Sequence, residues 1–179
     1  MQAQEILSFW FDELDPEQWW RVDRALDAEI RRRFETTHAQ ANRGELWRWR
    51  DTPQGRLAEV IVLDQLSRNM FRGDPRAFAS DPLALVLAQE AVRVGADRAL
   101  PVGQRCFFYL PFEHSESLAI HDLAMQLFDQ PGLESNLDYE IRHRKIIERF
   151  GRYPHRNQIL GRASTPEEEA FLKEPGSSF

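Results

Sequence analysis

Four of the five histidines of this chain, His114, His121, His143 and His155, fall in stretches that also gather arginine, asparagine and carboxylate side chains. The segment PFEHSES brings Glu113, His114, Ser115, Glu116 and Ser117 to the start of a helix, where free backbone N–H groups attract anions. GRYPHRNQ brings Arg152, Tyr153, His155, Arg156 and Asn157 just past a helix end. A third set continues the apolar stripe of an otherwise buried helix: Leu57, Val60 and Ile61 are followed at helical spacing by Asp64, Gln65 and Arg68, then Asn69 and Arg72. Asp64 and Arg68 are four apart and can pair along one side of that helix. On two later helices, His121 shares a stripe with Leu118, Met125 and Phe128, and His143 shares one with Tyr139, Ile146 and Phe150; Arg142 and Arg149 flank the second.

Arginine forks beside histidine and asparagine suit carboxylate or phosphate recognition, because two parallel N–H donors match two oxygens. The candidate binding set is therefore Asp64, Arg68, Arg72, His114, Glu116, His121, Arg149, His155 and Asn157, forming a polar pocket for a small anionic molecule. For catalysis, His114 or His121 has the chemistry of a general base and Glu116 that of an acid, but no geometry follows from the spacing, so no catalytic residue is assigned. His114, Glu116 and His121 are metal-ligating types, yet H-x-E-x4-H matches no strong ligand motif; neither metal nor cofactor is expected. Ser115 and Ser117 read as helix caps rather than nucleophiles. Two alternatives stand beside the anion pocket: a buried network that only fixes helix packing, and a groove that binds a peptide or protein.

Positioning such a set falls to helices. Apolar residues recur three and four apart, and no useful length alternates with period two. The expected helices are Ala3 to Phe11, Asp23 to about Ala41, Pro53 to about Phe71 behind the cap Thr52, and Asp81 to about Val94. A further helix from Pro101 is expected to break at Pro111, one follows a Ser115 or Ser117 cap, and Leu137 to Phe150 is closed by Gly151. The last starts at Thr165-Pro166 with three glutamates in its first turn, and KEPGSSF reads as a tail. Short connections imply antiparallel hairpins, and no linker divides residues 1–179, so one helical domain is expected.

With 42% hydrophobic and 29% charged residues, the chain is globular in composition. A net charge of −6 argues against a broad nucleic-acid or anionic-membrane surface. The single cysteine, Cys106, next to Phe107 and Phe108, reads as a small buried apolar side chain in a reducing compartment. The N-terminal MQAQEILSFWFDELDP is acidic where a signal peptide is basic, and the apolar runs are too short to span a bilayer, so the reading is cytoplasmic. Oligomeric state does not follow from these features.

LDQLSRNMFRGDPRAFASDPLAL, FFYLPFEHSESLAIHD and HRKIIERFGRYPHRNQILGRASTPEEEAFL, with SFWF near the start and PGSSF at the end, resemble the bacterial domain of unknown function 924 family over nearly the whole chain. The resemblance implies an all-α fold similar to the tetratricopeptide-like superfamily, in which antiparallel helix hairpins stack into a right-handed superhelix with a concave face. It implies no established activity, cofactor or catalytic residue.

Overall fold

The computed structural model describes residues 1–178, and every regular element among them is helical. Helix α1 (Ala3–Ser8) passes into a wider π turn over Phe9–Glu13, so the expected helix to Phe11 is regular only as far as Ser8. The turn buries Phe9 and Trp10. Helix α2 (Arg24–Asn42) begins at Asp23, whose carboxylate accepts from the N–H groups of Ala25 and Leu26. Helix α3 (Pro53–Met70) begins at Thr52, whose hydroxyl accepts from the Gly55 N–H. Both caps satisfy donors that have no partner inside a first turn. After a short α4 (Arg76–Ala79), α5 spans Asp81–Arg93. Its cap position is Ser80, whose hydroxyl makes no cap bond and donates instead to Asn42; Asp81, the expected cap, sends its carboxylate elsewhere.

Helix α6 (Val102–Glu113) runs through Pro111 instead of breaking there. The proline lies in the last turn, so little helix remains to be disturbed, and the chain resumes pairing at once with the His114 N–H on the Leu110 carbonyl, 2.9 Å. Ser117 holds the cap position of α7 (Leu118–Phe128), although its side chain makes no cap bond. Helix α8 (Glu134–Phe150) starts a turn earlier than expected and ends on Gly151 at φ 68°, a left-handed conformation that glycine adopts without a Cβ clash. Helix α9 (Pro166–Phe171) opens on a reciprocal box between Thr165 and Glu168.

Helix α3 is the centre of the packing. Leu57, Val60, Ile61, Val62, Leu63 and Leu66 are fully buried around its circumference, and α1, α2, α5 and α6 all pack against it. From α5 onward each main helix also touches the next, α5 on α6, α6 on α7 and α7 on α8. The principal core extends from Ile6 to Leu133; a smaller cluster of Ile146, Ile147 and Tyr153, with Phe150 and Phe171, lies beyond it. The expected tail folds back in part, since Ser177 is buried and its hydroxyl donates to the Leu172 carbonyl at 3.2 Å. No helix among the described residues is long and apolar enough to cross a membrane.

Candidate functional site

A cavity of about 770 Å³ opens where α3, α6 and α8 meet the loop after Gly151. That is within the usual range for a small-molecule site. Part of its wall is aromatic and aliphatic, with Trp19, Trp20, Cys106, Leu110, Leu133 and Ile159. The rest is polar: Arg68 and Arg72 from α3, Glu113 and His114 from the end of α6, and Tyr153, His155 and Arg156 from the loop.

Helix α3 supplies the first anchor because its inward stripe turns from leucine and valine to Asp64 and Arg68 one turn before its end. Asp64 is wholly buried and accepts from Gln65, while His114 Nδ1 lies 2.7 Å from Oδ1. Burial opposes its ionisation, but Arg68 and His114 outweigh that and hold the carboxyl below the usual carboxylate range. Arg68 lies 3.1 Å from Asp64 and grips both oxygens of Asp81, at 2.9 and 3.0 Å. Arg72 pairs in the same forked way with Asp27 of α2, at 2.7 and 2.9 Å.

Arg156 arrives from the far end of the sequence. Its guanidinium lies over the rings of Phe78, 4.6 Å away, and Tyr153, 4.7 Å away. It donates to the His114 carbonyl at 3.0 Å and to Asp81 at 3.3 Å. Its side chain is only 8% exposed, and its Nε–H is buried without an acceptor among the described residues. Such a donor is uncommon in folded proteins.

His114 and Glu113 sit side by side at the end of α6. With Asp64 ionised, His114 donates from Nδ1 and leaves Nε2, which has no hydrogen bond among the described residues, as the available ring nitrogen. Burial and the Arg68 charge push the imidazole below its ordinary value, against the pull of Asp64, so the ring is neutral near pH 7. Glu113 is 5% exposed. Its Oε1 is 3.9 Å from His143 Nε2, and its Oε2 has no partner among the described residues. Burial, and the charges of Glu140 and Asp64, raise it well above a normal carboxyl, which favours its protonated form. Burial also pushes His143 down to about 3, His155 to about 4 and the Cys106 thiol up to about 12.

Of the candidate binding set, Arg68, Arg72, His114 and His155 line the cavity, and Asp64 contacts Arg68 and His114. The others do not line it. Glu116 accepts from both amino groups of Arg162, at 2.7 and 2.9 Å, and from the Tyr153 N–H at 2.7 Å. Asn157 continues that clip, accepting from Arg162 at 3.0 Å and donating to Ser164 and Glu168. His121 is wholly buried between Glu140, 2.7 Å away, and the Ser115 carbonyl, 2.8 Å away. Its Nε2 must donate to that carbonyl, so Nδ1 and Glu140 share one proton. Arg149 is half exposed, pairs with Glu167 at 3.0 Å and lies over Phe150. The three ligating types His114, Glu116 and His121 thus pair with different partners, Asp64, Arg162 and Glu140, and the described residues contain no group of three or more ligating side chains placed for a metal.

Glu113, Tyr153 and Arg156 also line the cavity, and Asp81 pairs with two of its arginines, but all four are outside the candidate binding set. Glu113 had a visible signal in its position beside His114. Asp81 had none, because an aspartate before a proline is an ordinary helix start.

The bacterial family of unknown function DUF924 has a model that matches residues 6–176. A solved structure of a protein of unknown function from Agrobacterium tumefaciens is similar at 42% identity, with a TM-score of 0.91 over 96% of each chain. No curated protein matches. With a match over nearly its whole length and the same helical architecture as that structure, the chain belongs to the DUF924 family of bacterial proteins.

Proposed function

We propose that the cavity binds a small anionic molecule with an apolar body, its carboxylate or phosphate held by the arginines and histidines and its body against Trp19, Trp20 and Leu133. The observation that carries this reading is Arg156: a nine-tenths buried guanidinium in the cavity wall keeps one N–H without an acceptor among the described residues. A ligand oxygen would satisfy it. The volume of about 770 Å³ and the mixed wall favour a molecule with both a charged and an apolar part over inorganic ions alone. In this reading the chain works as one domain in the cytoplasm, without a metal.

A structural role for the same ion pairs is favoured by their charge balance. Arg68 and Arg156 face Asp64 and Asp81, and Arg72 faces Asp27. The two roles combine naturally, the pairs fixing the wall against which a ligand docks. A groove for an extended peptide, as the tetratricopeptide-like superhelix suggests, has no comparable feature in its favour and rests on fold analogy.

A thermal-shift panel of aryl and alkyl carboxylates and phosphates tests the reading. At 100 times its dissociation constant a ligand adds about 2.7 kcal/mol of stability. At least one member stabilises the wild-type protein, and Arg156→Met weakens the response. A flat panel with a tight response to peptides would replace the pocket by the groove.

A further inference from the structure

We propose that His114, aligned by Asp64, is a general base in this cavity that removes a proton from a carbon next to a carbonyl group of the bound anion, while Glu113 protonates the carbonyl oxygen. The inference rests on the small-anion reading above and names its substrate class: a small carboxylate or phosphate that also carries a carbonyl with a removable C–H.

Three observations converge on it. The first is orientation: Asp64, wholly buried, fixes the His114 ring through Nδ1 at 2.7 Å, so Nε2 carries the lone pair, with no hydrogen bond among the described residues. A carboxylate behind an imidazole sets the tautomer and stabilises the imidazolium that forms. The second is contrast within the same protein. His121 has an equally short carboxylate contact, yet both of its nitrogens are consumed, one by Glu140 and one by the Ser115 carbonyl, and it does not line the cavity. The third is the neighbour. Glu113 lines the same cavity, is driven toward its neutral form by burial and leaves Oε2 without a partner among the described residues. A neutral base and an acid that favours its protonated form, lining one cavity, form the pairing that proton transfer in both directions requires.

The groups around His114 are consistent with this role. Asp64 and Asp81 favour its protonated form, Arg68 opposes it, Arg156 holds its backbone carbonyl, and Glu113, His143 and His155 share the cavity. In the step, the C–H bond breaks and its electron pair becomes the new C=C bond. The C=O π pair moves onto oxygen, which takes the Glu113 proton. His114 ends as imidazolium and Glu113 as carboxylate, and reversing both transfers regenerates them. Arg68 and Arg156 are positioned on the wall where the substrate's own anionic group would lie.

The test uses the full-length protein and 5-nitrobenzisoxazole, a planar aromatic probe that reports a base in an apolar cavity. Loss of its C–H proton to the base cleaves the ring N–O bond and releases a coloured nitrophenolate. Wild-type protein is expected to turn the probe over roughly 100-fold faster than His114→Gln. Its rate should decline as acid protonates the ring, with a midpoint below the 6.5 of an ordinary imidazole. Equal rates in the two proteins, or a wild-type rate unaffected by pH down to 4.5, would overturn the proposal. Because the variant also frees Asp64, which lowers stability, nitrogen-15 NMR of the wild type gives an independent reading: His114 as the Nδ1–H tautomer at pH 7 supports the base, and an Nε2–H tautomer or an imidazolium refutes it. The two readings fail separately. A flat ligand panel with His114-dependent turnover removes the anion site and keeps the base, whereas a stabilising anion with His114-independent turnover does the reverse.

Discussion

Asp81 and Arg156, 75 positions apart, meet at 3.3 Å, and the same aspartate also holds both amino groups of Arg68; the two arginines line the cavity and Asp81 does not. One carboxylate therefore balances two arginines that come from α3 and from the loop after α8. Asp81→Asn leaves both partly buried cations short of a counter-charge, and the expected loss of stability is about 3 kcal/mol, the lower end for a disrupted buried pair. Urea denaturation measures it. Added phosphate should recover more stability in the variant than in the wild type; an unchanged urea midpoint would mean that water already serves these arginines.

Arg68→Met and Arg149→Met should separate sharply. Removing Arg68 strands Asp64, which is wholly buried, as well as Asp81, and a loss of about 3–5 kcal/mol follows. Arg149 is 47% exposed and its partner Glu167 is 64% exposed, so its removal should change stability by no more than about 0.5 kcal/mol. Comparable losses at the two positions in the same urea series would contradict the burial difference.

The buried histidines and Glu113 pull stability in opposite directions as pH falls. His143 and His155, at about 3 and about 4 when folded, take up protons first in the unfolded chain, whose value is 6.5. Stability is therefore lost below pH 6.5, by up to about 1.4 kcal/mol per pH unit for each histidine. Glu113 is raised, so the folded state binds its proton first and gains stability as pH drops from that raised value to 4.5. Glu113→Gln removes the opposing contribution. Its stability should decline more steeply than the wild type between pH 6.5 and 4.5; parallel curves would show that Glu113 ionises normally.

Gly55, in the first turn of α3, has no room for a side chain. A Cβ there would stand 2.0 Å from the Trp49 carbonyl oxygen, which is backbone and cannot swing away. Gly55→Ala should cost about 1–3 kcal/mol, as overpacking of a tight contact does. Thermal melting of the variant measures it, and an unchanged melting temperature would mean that the turn over Trp47–Asp51 shifts freely.

The helices were legible because their signals are local. Asp23, Thr52, Gly151 and the Thr165 box each act within four residues. The buried character of α3 was equally readable from leucine and valine on all sides. Pro111 misled because the rule for an interior proline depends on how much helix follows, and here only two residues do. In the site, the Asp64–Arg68 pair was visible as a spacing of four, but the Arg68–Asp81, Arg156–Asp81 and Glu116–Arg162 pairs span 13 to 75 positions and no periodicity encodes them. Histidine on an apolar stripe likewise described His121 and His143 alike. Only packing distinguishes the ring consumed by Glu140 and Ser115 from the one beside Glu113.

The cavity wall takes residues from Trp19 to Ser178, and no contiguous half of the chain contains it. Contacts of such long sequence separation close late, after the entropy of the intervening loops has been lost. The cavity is therefore a product of complete folding, absent from any partly folded state and from either half of the chain alone. A molecule that binds there acts on the native state only, slows its opening, and protects both ends of the chain from proteases at once.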